Sequence, residues 1–164
     1  MLRSLYIRDY ALIEELDVEF GGGLNILTGE TGAGKSIIIG ALKMILGERA
    51  STELVRTGAR KAVIEGIFDE AGTPALQALL DANQIEPQQQ MILRREISQS
   101  HSRAFINDTP ATIALMKTVA GYLIDLHGQH EHQSLLRTET HLELLDKWCQ
   151  AKRKNESTDQ TSLR

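Results

Sequence analysis

The stretch Gly29-Glu30-Thr31-Gly32-Ala33-Gly34-Lys35-Ser36 fills the pattern G-x-x-x-x-G-K-[ST] without a mismatch. Such a run makes a phosphate-binding loop. Several backbone N–H groups must converge on one anion, and only a glycine-rich turn lets the main chain curl that tightly and approach that closely. A lysine at the position of Lys35 brings positive charge to the β- and γ-phosphates, and a hydroxyl at Ser36 can ligate Mg²⁺. A helix beginning near Gly34 aims its N-terminal dipole at the same anion. The alternative is a glycine-rich turn that binds nothing, but it leaves Lys35 without a purpose.

The flanks support the motif. Leu24-Asn25-Ile26-Leu27-Thr28 before it is a short apolar run, expected to be a buried strand, and Ile37, Ile38, Ile39, Ala41, Leu42, Ile45 and Leu46 after it predict a largely buried helix. Strand, glycine-rich loop and helix in that order are the context the motif requires.

Length and composition bound the rest. The chain has 164 residues, 41% hydrophobic and 24% charged, with a net charge of -4, and a pI of about 5.7. That suits one domain with a real core. There is no strongly basic character, so any nucleic-acid contact has to be local. One cysteine, Cys149, excludes an internal disulfide. No run approaches the ~18 apolar residues of a membrane span, and Met1–Arg8 alternates like a strand and lacks a signal-peptide core. A cytoplasmic location is expected, with no membrane partner.

Along the chain, strands are expected at about 2–8, 14–20, 24–28 and 61–69, with Gly21-Gly22-Gly23 as a turn. The first helix spans about 34–46 and stops at Gly47. Residues 48–60 read as a loop or short helix carrying Arg49, Arg56 and Arg60. Thr73-Pro74 opens a helix, Thr as N-cap and Pro in the first turn. The segments 91–97 and 103–107 read as a hairpin. Thr109-Pro110 repeats the cap signal ahead of a helix to about 119, and Tyr122-Leu123-Ile124-Asp125-Leu126 reads as a buried strand. Thr140 and Glu143 form a capping box for a last helix, with Leu142, Leu145 and Trp148 along one face. After Gln150 apolar residues nearly vanish, and that tail is expected to be disordered. The expected class is α/β: a P-loop NTPase with a mixed, partly parallel core and an antiparallel β-subdomain. Its divisions are 1–139 for the nucleotide-binding lobe, 140–150 for the last helix, and 151–164 for the polar tail.

Hydrolysis usually needs a second acidic site, an apolar strand ending in Asp. Val63–Glu70 ends in Asp69-Glu70 but is interrupted by Glu65 and Gly66, and Tyr122–Asp125 runs on into Leu126. Neither is a convincing metal-site strand. His127-Gly128-Gln129-His130-Glu131-His132-Gln133 is a second unusual run. Zinc is disfavoured because Ser134 stands where H-E-x-x-H needs its second His. A polar loop at a strand end, where α/β sheets place ligands, fits better, and Gln129 there could reach the γ-phosphate, the metal or the attacking water. Arg56 faces a phosphate, DNA or simply solvent. Arg94 and Arg95 are adjacent on a strand and so point to opposite faces.

Taken together, Gly29–Ser36, Val55-Arg56-Thr57-Gly58, Phe105-Ile106-Asn107 and His127–Gln133 resemble the amino-terminal part of the RecN family, SMC-like ATPases of the ABC class that act in bacterial double-strand-break repair. The resemblance runs over about residues 1–149. It implies ATP as the nucleotide and Mg²⁺ as the metal. Gly29, Glu30, Thr31, Gly32, Ala33, Gly34, Lys35 and Ser36 would bind ATP, with Arg56 nearby. Ser36 and Gln129 would hold Mg²⁺, and Lys35 and Gln129 would serve the reaction. It also implies that the helix over 140–150 is the start of a coiled-coil arm, and it implies a homodimer through head engagement, DNA ends as partner and nucleoid association. The family's signature loop, its acidic second motif and its switch histidine are missing here, as are the heptads of a coiled-coil arm after Gln150. The implied entity is therefore an amino-terminal ATP-binding half-head. Two other readings stay open: a small stand-alone P-loop kinase or hydrolase using Asp125, and a module that binds ATP without turnover.

Overall fold

Alternating residues make the framework. In the computed structural model, which describes residues 1–28, 33–69 and 73–124, six strands form one sheet in the order β2-β1-β3-β4-β5-β6. They are β1 (Leu2–Tyr10), β2 (Ile13–Glu19), β3 (Lys61–Asp69), β4 (Gln90–Ser98), β5 (Ser102–Ile106) and β6 (Thr109–Ala111). Every pairing among them is antiparallel. Three helices join them: α1 (Ala33–Ile45), α2 (Pro74–Ala82) and α3 (Ile113–Leu123), with a single 3-10 turn at Thr52–Leu54.

The period-two pattern decides which face is covered. The rows Leu5–Gly66–Leu93–Ile106 and Ile7–Ile64–Arg95–Ala104 run straight across the register. All eight are buried, and they join Ala41 and Ile45 of α1, Leu76 and Leu80 of α2, and Met116, Val119 and Ala120 of α3 in one core. The next row, Tyr6–Glu65–Arg94–Phe105, lies on the other face and is only half-buried. Arg94 there sits 4.8 Å from the Phe105 ring centroid and pairs with Asp108 at 2.8 Å and Glu65 at 3.5 Å. Arg94 and Arg95 do face opposite ways, as their adjacency requires.

Helix α1 lies close against β3. A Cβ on Gly66 would fall 2.6 Å from Ile45 Cδ1, so only glycine lets the helix seat there. The helix ends as expected at Gly47. Its φ is +86°, and Gly47 N–H donates to Met44 O while Glu48 N–H donates to Lys43 O, the paired bonds of a Schellman stop. A Cβ on Gly47 would also strike Lys117 Cβ of α3 at 2.6 Å. Thr73 caps α2 by accepting from Leu76 N–H, as its sequence predicts.

Three expectations change. Leu24–Thr28 is not a strand: among the described residues it pairs with nothing, and its apolar side chains are exposed, Leu24 at 88% and Ile26 at 73%. A strand requires a neighbour, and the described sheet offers none. Thr109-Pro110 does not cap a helix. Asn107 and Asp108 both take positive φ, 48° and 62°, and so form a two-residue hairpin turn that makes Thr109–Ala111 the edge strand β6. Pro110 lacks an N–H and is tolerated at an edge. Thr112 caps α3 instead, accepting from Leu115 N–H. Finally, Tyr122 and Leu123 belong to α3 and not to a strand. Met116, Val119, Ala120 and Leu123 continue one helical face into the core. The two strands expected to build a parallel core are thus absent from the described residues. Asp125 and Leu126 lie outside them, as do the proposed divisions at 139 and 150.

Candidate functional site

The site is built on the first turn of α1. Ala33 opens the helix, followed by Gly34, Lys35 and Ser36. Gly34 and Ser36 are exposed and Lys35 is half-buried. No acidic residue occupies that first turn, so no carboxylate of the turn itself competes for the positive end of the helix dipole. The arrangement suits an anion, and the exposed Ser36 hydroxyl beside it is the kind of hard oxygen donor that Mg²⁺ takes. Gly29, Glu30, Thr31 and Gly32 lie outside the described residues. So do Gln129 and the rest of the His-rich run, and so does Glu70.

The approach to this loop is shaped by a residue that pattern reading passes over. Asn25 donates through Nδ2 to Gly21 O at 2.9 Å and Gly23 O at 3.2 Å, and its Oδ1 accepts from Gly21 N–H at 3.0 Å. One exposed amide thereby closes the triple-glycine turn after β2, where Gly23 has φ +86°. An Asn within four residues of a glycine run is a recognisable turn signal.

Arg56 sits on a loop docked against the β1–β2 turn. Ala11 N–H donates to Leu54 O at 2.8 Å, Arg56 N–H to Asp9 O at 2.9 Å, and Tyr10 bridges Val55. The guanidinium pairs with Glu14 Oε2 at 3.2 Å. Arg56 is thus a fixed cation with an acidic partner, neither bare nor buried. The same turn touches α1: the Tyr10 hydroxyl lies 3.1 Å from where a Cβ on Gly40 would stand. Burial raises the Tyr10 pKa, with a smaller contribution from the charge of Glu48. Tyr10 therefore connects the arginine loop to the helix that carries Lys35 and Ser36. Its only signal in the sequence was Gly40, a glycine inside a helix.

Asn107, quoted as part of a family pattern, is structural. It is buried, its Oδ1 accepts from Ile92 N–H and its Nδ2 donates to Glu86 O. Asp69, at the end of β3, is tied to Arg3 at 2.6 Å, an ion pair that closes the strand end. Among the described residues no group of three His, Cys, Asp or Glu is gathered to hold a metal. No described helix is long and apolar enough to cross a membrane.

Comparison with known proteins agrees with this geometry. The family model described as an AAA domain matches residues 4–157. The DNA repair protein RecN of Bacillus subtilis is 45% identical over 92% of this chain, and that of Halalkalibacterium halodurans 48% identical over 89%. The chain spans only about a quarter of the length of these relatives, 27% and 26%. Among solved structures, an SMC ATPase from work on ATP-driven dimerization and DNA-stimulated activation superposes with a TM-score of 0.61 at 20% identity, covering 88% of this chain and 97% of that one. The recombination mediator protein RecF bound to ATPγS superposes with a TM-score of 0.57 at 14% identity, over 71% of this chain and 27% of that one. The fold is that of a P-loop ATPase head. The chain belongs to the AAA domain family, and its sequence is similar to that of the RecN proteins over about nine tenths of its own length.

Proposed function

We propose that this chain is the ATP-binding part of a RecN-like ATPase that acts in DNA double-strand-break repair. One observation carries the reading: an unbroken phosphate-loop motif runs directly into α1, whose first turn holds no acidic side chain and leaves Gly34 and Ser36 exposed. Gly29 to Ser36 would cradle the triphosphate, Lys35 countering the β- and γ-charges and Ser36 holding Mg²⁺ together with Gln129. Arg56 would lie beside the nucleotide, held in place by Glu14. Bound Mg²⁺ would neutralise phosphate charge during transfer.

The work of the longer protein extends this proposal. Two heads would engage as a homodimer around ATP and hold DNA ends at the nucleoid in the cytoplasm. The exposed apolar run Leu24–Leu27 supports a missing remainder, because it leads straight into the phosphate loop with nothing covering it among the described residues. A self-contained small kinase is disfavoured by the same exposure and by the match to a quarter of much longer relatives.

Calorimetry of the chain with ATP and Mg²⁺ tests the reading. Weak but measurable binding is expected, abolished in Lys35→Ala, with almost no steady-state turnover. Equal affinity in wild type and Lys35→Ala would overturn the phosphate-loop role. Brisk hydrolysis by the chain alone would overturn its reading as an incomplete head.

A further inference from the structure

We propose that Arg95 is a positioning residue that fixes α1 along its own axis, and so sets where Lys35 and Ser36 stand relative to the sheet. Arg95 is 1% exposed on β4, in a row otherwise made of Ile7, Ile64 and Ala104. A buried guanidinium is costly unless its donors are met and its charge is balanced. Among the described residues no carboxylate stands within ion-pair distance of it. It meets two other groups. Nε donates to Ser102 Oγ on β5 at 2.7 Å, and Nη1 makes a longer contact of 3.4 Å with Met44 O.

Met44 O is in the last turn of α1, at the negative end of the helix dipole, and accepts from Arg95 in addition to Gly47 N–H. Arg95 therefore balances its charge against that end of the helix while Ser102 holds it to the sheet. Other contacts that seat α1 include Ile45 over Gly66, Tyr10 against Gly40, and Gly47 against Lys117. Apolar burial by itself is non-directional, whereas the hydrogen-bonded arginine adds a directed tie between helix and sheet. Because α1 is a rigid rod of 13 residues, displacement at its Met44 end is transmitted to Lys35 and Ser36.

The consequence for nucleotide rests on the phosphate-loop reading, whereas the consequence for α1 does not. The test uses the whole chain with Arg95→Met, Arg95→Lys, Ser102→Ala and, as a comparison, Leu80→Ala, which thins the core under α2. Hydrogen–deuterium exchange without nucleotide should rise about tenfold or more over residues 37–40 in Arg95→Met. Arg95→Lys should restore part of the protection, and Leu80→Ala should leave α1 no faster than the rest of the core. Where the wild type binds ATP with Mg²⁺, Arg95→Met should weaken affinity by about tenfold, and Leu80→Ala should not. Exchange in α1 that is no faster in Arg95→Met than in Leu80→Ala overturns the proposal. If Arg95→Met does not fold, Arg95→Lys and Ser102→Ala decide on the same exchange readout. Failure of the wild type to bind ATP would reject the nucleotide reading alone, since the exchange result stands apart from it.

Discussion

β1 and the segment 24–28 are written in nearly the same alphabet, yet they end in opposite environments. Leu5 and Ile7 of β1 are 0% exposed, whereas Leu24, Ile26 and Leu27 are 88%, 73% and 50% exposed. The difference is not hydrophobicity. β1 has β2 on one side, β3 on the other and α1 above, while 24–28 has no strand beside it among the described residues. An apolar run predicts burial only when a partner exists to bury it.

Substitutions can break or sharpen that contrast. The largest effect is expected from Ile7→Ala, which empties a wholly buried site in the central rows; a loss of ~2–5 kcal/mol should appear in urea unfolding. Gly66→Ala comes next. Its new Cβ would press on Ile45 Cδ1, and a loss of about 1–3 kcal/mol is expected by the same assay. Tyr10→Phe probes the end of β1 through pH. Its folded pKa is raised above the ordinary 10.0 by burial and Glu48. Below the unfolded value the phenol is neutral in both states and its contribution is complete. As pH climbs past it the unfolded chain ionises first, so stability falls on the alkaline side. Tyr10→Phe should flatten that alkaline decline in thermal melts across pH 9–11, and an unchanged slope would refute the assignment. The smallest effect is expected from Ile26→Ala, within ~0.5 kcal/mol in this chain. A loss comparable to that of Ile7→Ala would show that 24–28 is covered after all.

Much of this was legible in the residues. The motif at Gly29–Ser36 fixed the start of α1, Gly47 its stop, Thr73 the cap of α2, and the alternation of 91–97 and 103–107 the hairpin of β4 and β5. What failed has a common cause. Leu24–Thr28 and Tyr122–Leu126 were judged by local hydrophobicity, and local hydrophobicity cannot say whether a strand has neighbours or whether a helical face continues past its expected end. Thr109-Pro110 was misjudged because two competing signals overlap there, and the Asn107-Asp108 turn outweighed the cap. In the candidate site, Lys35 and Ser36 are proposed from the pattern, whereas Tyr10, Asn25 and Arg95 make contacts between residues far apart in the chain or within a backbone turn, which no local pattern shows.

The strand order carries a consequence for how the molecule assembles. Five neighbours in β2-β1-β3-β4-β5-β6 include only one pairing, β1 with β3, that is not between consecutive strands. Hairpins close quickly because little chain entropy is lost, whereas β1 and β3 must first gather the intervening stretch. That stretch contains α1 and the residues of the phosphate loop. Docking of the helix and zipping of the sheet are therefore expected to be one late kinetic event, so that the first turn of α1 takes its place only as the last long-range contact is made.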